Sequence, residues 1–166
     1  MEMESEIEKI LMSFHKEEMI HQIKSKPELF QDAIELALDN KYPYSWRAAW
    51  IICSAMEIND QRLQKYVDGI INSFPDKSDG HQRELLKILY NLELGEDYES
   101  RVFDLAVSIW EKVTKQPSVR HNAFKMLVKI SKKYPELWNE ISFLTQDHFM
   151  QTLSPGVRCS IMRMIE

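Results

Sequence analysis

The side chains with chemistry to offer in this sequence are five histidines, two cysteines and a cluster of lysines and arginines near residue 120. His15, His21, His81, His121 and His148 are scattered, and no two stand at i and i+4 as a helical metal pair requires. Cys53 and Cys159 are far apart and lack zinc-ligand spacing, so they read as two reduced small hydrophobes. There is no HExxH, no glycine-rich phosphate loop and no nucleophile elbow. The expectation is no catalytic residue, no metal and no cofactor. What stands out is charge: Lys112, Lys115, Arg120, Lys125, Lys129, Lys132 and Lys133 lie close together, and the one neighbouring acid is Glu111.

That cluster sits in an acidic chain. The 166 residues carry 21 Lys and Arg against 26 Asp and Glu, a net charge of −5. A dedicated nucleic-acid binder needs a net supply of cations to neutralise phosphates, so this balance argues against that class. Four glycines and six prolines favour long helices with short connections over a many-turned β fold. The amino end, MEMESEIEKILMSF, lacks the basic start and apolar stretch of a secretory signal, and no apolar run has membrane-spanning length. The expected compartment is the cytoplasm, with no membrane contact.

The elements that must position these residues emerge when the chain is laid on itself. PYSWRAAW from Pro43, QPSVRHNA from Gln116 and LSPGVRCS from Leu153 each place an Arg two residues after a Ser or Gly: Arg47, Arg120 and Arg158. The last two are 38 residues apart, and the first two 73 apart, which leaves room for one more unit, SDGHQRELLKILYNL from Ser78. Its Leu85, Leu86, Leu89 and Leu92 match Ala123, Phe124, Leu127 and Ile130, which sets Gln82, not Arg83, opposite the Arg column. Each signature opens a helix, with Ser45, Ser78, Ser118 and Ser154 as caps. A first helix precedes each one, at about 27–39, 60–73, 96–114 and 135–151. Ser5 with Glu8 makes a capping box for a leading pair at 4–25. The units run 27–58, 60–94, 96–133 and 135–166 within one repeat domain spanning 1–166.

Paired helices of about 37 residues, with a proline near the turn and Val-Arg opening the second helix, resemble HEAT (armadillo-type) repeats. The resemblance covers residues 27–166 and implies an all-α, right-handed α–α superhelix of about four pairs plus the short leading pair. One departure concerns the Asp that often precedes that Arg. Asp39 lies eight residues before Arg47, but later units have no equivalent. Residues 35–60 also resemble short bacterial HEAT-like proteins sometimes labelled adenylosuccinate lyase. That enzyme is a much longer helical tetramer with a Ser-rich catalytic loop, and no such loop occurs here.

The resemblance implies that second helices line a concave side. On that stripe Ile52, Lys87, Lys125 and Arg163 are equivalent; Met56, Asn91 and Lys129 follow one turn on, and Ala49, Glu84, Asn122 and Ser160 one turn back. Lys87, Lys125, Lys129 and Arg163, with Glu84, Asn91, His121 and Asn122 around them, form a candidate partner-binding row. Such a row is either a solvated helix face or a site for an anionic partner. Ala49, Ile52 and Met56 make an apolar gap in the stripe, either an exposed binding patch or the contact for the leading pair folded over as a cap. The Arg column reads as structural, since a cation near a helix start opposes the helix dipole and needs a partner. The favoured function is a non-catalytic adaptor that binds an unidentified protein. The alternative is a nucleic-acid or phosphate binder using the basic row. A HEAT-like DNA glycosylase, which holds duplex in a basic channel, is third, since this chain is shorter and more acidic than that role implies.

Overall fold

Hydrophobic spacing at three and four residues turns almost the whole chain into helices, and the computed structural model describes residues 4–166. Every regular element among the described residues is helical. The chain divides into two compact units, residues 1–93 and 94–166.

In the first unit, α1 (Glu6–Ser13) opens with the expected capping box, the Ser5 and Glu8 side chains each serving the other's backbone N–H. α2 (Lys16–Ser25) leads into α3 (Pro27–Leu38), where Pro27 occupies the first turn and forfeits no hydrogen bond. α4 (Tyr44–Ala55) pairs with α3. The expected helix at 60–73 is broken into α5 (Gln61–Gln64) and α6 (Val67–Ser73). A 3-10 turn at Phe74–Asp76 then leads to α7 (Asp79–Tyr90), whose cap is Ser78. The leading pair α1–α2 packs on α3 and α4, and α7 packs on α4. Ile7, Leu11, Met19 and Ile23 meet a core of Ala33, Ile34, Ala48, Ile51 and Leu85, all buried.

The second unit pairs α8 (Glu96–Glu111) with α9 (Pro117–Ser131). The helix expected at 135–151 is a 3-10 turn at Pro135–Leu137, then α10 (Trp138–Phe143) and α11 (Asp147–Met150). The carbonyl of Leu144, freed by this break, accepts the indole N–H of Trp110 at 2.8 Å. α12 (Pro155–Ile165) begins at a Ser154 cap and packs on α9. Its neighbour's core side is Val119, Ala123, Phe124 and Leu127, all at 0% exposure.

Two expected caps work differently. Ser45 lies inside α4, and its hydroxyl accepts the N–H of Lys41 upstream of the helix. Ser118 lies inside α9, where Gln116 is the N-cap and makes no side-chain cap bond and Pro117 fills the first position.

Candidate functional site

The first unit presents its second helices, α4 and α7, side by side. Glu84 is 1% exposed and is ion-paired with Arg83 at 2.8 Å and Lys87 at 3.1 Å. A buried carboxylate with two cations against it is satisfied. Glu84, expected as a partner contact, is therefore withdrawn beneath Lys87, and the exposed part of this cluster is cationic. Asn91, half-buried, ends α7. On α4 the ammonium of Lys16 sits 5.3 Å over the Trp50 ring, and Trp46 and Trp50 stand 6.5 Å apart. Cys53 lies near Lys16, Glu84 and Lys87; burial and the Glu84 charge push its thiol up. Ala49 and Ile52 are at 0% exposure and Met56 is half-buried, with α1, α2 and α7 all packed on α4.

The second unit holds five of the expected residues, four on α9 and one on α12. His121, Asn122, Lys125 and Lys129 are half-buried on α9, and Arg163 is exposed on α12. His121 Nε2 lies 2.9 Å from Ser160 Oγ, joining the two helices. Burial and the Lys125 charge hold the His121 imidazole below its ordinary pKa, so it is neutral at physiological pH. Asn122 donates to the Ser118 carbonyl. Lys129 turns its field on Glu99. Burial raises that carboxyl, but hydrogen bonds from Lys133 and Tyr134 and the charges of Lys133 and Lys129 outweigh it and leave Glu99 low.

Two members of the Arg column, Arg47 and Arg120, donate to carbonyls near helix ends. Arg120, at 0% exposure, donates from Nε to the Trp110 carbonyl at 2.9 Å, from Nη2 to the Phe149 carbonyl at 2.6 Å and from Nη1 to Thr152 Oγ1 at 3.1 Å. Its guanidinium also lies 4.6 Å from the Trp110 ring centroid. These carbonyls are the orphaned acceptors at the ends of α8 and α11. Gln82, which replaces Arg in the second repeat, donates to the Phe74 carbonyl at 2.7 Å. It thus does for the end of α6 what Arg120 does for α8. Arg47 Nε donates to the Leu11 carbonyl in α1, and Arg158 is exposed.

The sequence reading missed a second capping device. Lys77 is buried, and Nζ donates to the Leu38 carbonyl, the Asp39 carbonyl and Asn40 Oδ1 at 2.7, 2.5 and 2.7 Å. His81 Nε2 donates to the Ala37 carbonyl at 2.8 Å. Together they close the end of α3. Burial lowers both pKa values, that of His81 to about 4. Also missed was a pocket of about 290 Å³ in the second unit, where Phe103, Ile130 and Leu137 are rimmed by Glu96, Asp104, Glu136 and Glu140.

Among the described residues no group of three or more His, Cys, Asp or Glu converges to hold a metal, and both cysteines are free thiols. No described helix is long and apolar enough to cross a membrane. No curated protein and no solved structure matches the chain. A sequence model described as a HEAT repeat domain matches residues 3–166, and the chain belongs to that family.

Proposed function

We propose that this chain is a non-catalytic protein-binding module, and that the partner meets the second-helix face of the second unit, at His121, Asn122, Lys125 and Arg163. The family is one of interaction and scaffold modules. The observation that carries the finer reading is the contrast across α9. One side holds Ala123, Phe124 and Leu127 at 0% exposure, and the other offers His121, Asn122 and Lys125 at half exposure. Side chains so mounted lose little conformational entropy on contact, which is how a rigid surface gains affinity. Arg163 and the Lys125 ammonium give the surface a cationic character, suited to an acidic segment of a protein.

The test is affinity capture from nuclease-treated lysate with wild type and a Lys125→Glu, Arg163→Glu variant whose helical circular dichroism matches wild type. The expected result is a protein retained by the wild type and lost by the variant. Identical captured sets would sink this assignment. Capture seen only in a parallel lysate without nuclease, with affinity falling steeply as salt rises, would favour the nucleic-acid alternative instead.

A further inference from the structure

The pocket of about 290 Å³ in the second unit has two kinds of lining. Its floor is apolar: Phe103 and Ile130 are buried, and Tyr134 and Leu137 stand half-buried beside them. Its rim is anionic. Glu96 and Asp104 come from α8, Glu136 from the 3-10 turn and Glu140 from α10, all four exposed. No lysine or arginine lines it. Lys133, beside Tyr134 in sequence, is committed to Glu99. The rim charges act on the interior. The Tyr134 phenol is pushed up to about 12, first by the hydrogen bond it donates to Glu99, then by desolvation and the charges of Glu99, Glu96 and Glu136.

The spread of these charges selects the ligand. Glu96 and Asp104 are eight residues apart on α8, about 12 Å along its axis. Among the described residues no three carboxylates converge closely enough to share a metal ion. A compact cation therefore answers one end of the rim and gains nothing from the apolar floor. A lysine or arginine side chain likewise carries its charge at one end. A chain of ammonium groups joined by methylenes answers the carboxylates in succession, and its methylenes leave water for Phe103, Ile130 and Leu137. From this match of charge spacing and apolar floor we propose that the pocket binds a linear aliphatic polyamine. The ligand lies along α8, with its ends at Glu96 and Asp104 and its opposite side facing Glu136 and Glu140. This site is separate from the α9 surface and does not rest on the protein-binding reading.

The probe is spermine, titrated into the full chain at physiological salt by isothermal titration calorimetry. Expected is saturable binding of one spermine per chain. Asp104→Asn with Glu140→Gln should weaken it at least tenfold, as should Leu137→Ser, which keeps every charge. Glu17→Gln with Glu28→Gln removes the same charge from exposed positions of the first unit and should leave affinity unchanged. Putrescine, too short to reach both ends of the α8 wall, should bind at least tenfold more weakly. Matching circular dichroism and melting temperature verify the fold of each variant. Absence of saturation at millimolar spermine overturns the inference. Equal weakening by the Glu17 and Glu28 pair reduces the effect to net charge and overturns it too, as does magnesium that displaces spermine at equal charge concentration. A tetralysine peptide that binds more tightly than spermine, with the same dependence on Asp104, Glu140 and Leu137, reassigns the pocket to a basic protein segment and overturns the polyamine assignment.

Discussion

At the scale of single residues, capping carbonyls dominates the polar chemistry of this protein. Arg120 satisfies acceptors on two helices at once, the Trp110 carbonyl of α8 and the Phe149 carbonyl of α11. Replacing it with Met should leave buried acceptors unpaired and lower stability by about 2–4 kcal/mol, read as a drop in the urea midpoint. Gln82→Leu should cost less, about 1–2 kcal/mol, because the Phe74 carbonyl loses a neutral donor where Arg120→Met removes charged ones. His81 adds a pH dependence whose sign follows from burial. Its pKa is about 4 in the fold against an ordinary 6.5, so the unfolded chain takes up the proton first. Stability is full above pH 6.5 and falls as pH drops towards 4, by up to about 3 kcal/mol. His121 is shifted in the same direction and adds to the slope. Glu8, Asp60 and Glu99 are held low, so their contributions are lost only in more acid solution. Urea melts at pH 7.5 and 5.5 should show the difference, and His81→Gln, which keeps a donor for Ala37, should remove most of it.

At the scale of helices, each second helix carries an apolar side of small and large residues fitted to its neighbours. Ala123→Asp or Leu127→Asp places a charge where exposure is 0%, and either should abolish cooperative melting. Arg163→Glu, on exposed surface, should shift stability by no more than about 0.5 kcal/mol. This contrast also marks what the sequence made legible. Apolar spacing placed α3, α4, α7, α8, α9 and α12 because their buried sides are long and regular. It ran α5 and α6 together, and likewise α10 and α11. The apolar period continues across both breaks, and the turns at Lys65 and Leu144 involve no glycine or proline to announce them. The candidate row was legible as register and opaque as exposure. Spacing set Glu84 beside Lys87, but only the packing of α7 on α4 puts the carboxylate under the cations. Gln82 looked like a departure from the Arg pattern, because residue identity hides a hydrogen-bonding task that either side chain performs.

For the whole molecule, the family assignment and the division at residues 93 and 94 make a repeat array whose parts hold cores of their own. A fragment of residues 1–93 should retain helical circular dichroism and a cooperative thermal transition, since α1, α2, α3 and α7 all pack on α4 within it and Ala49 and Ile52 are buried there. A fragment that is unstructured at 25 °C would show that this unit needs the rest of the chain. The closure of α3 by Lys77 has a further consequence, in reactivity. Lys77 is 7% exposed and its Nζ is enclosed by three acceptor oxygens, so a reagent cannot reach the nitrogen while the fold is intact. An amine-acylating reagent should modify exposed lysines such as Lys112 and Lys132 first and Lys77 last. The acylation rate at Lys77, read by mass spectrometry, then becomes a clock for how often the end of α3 comes open.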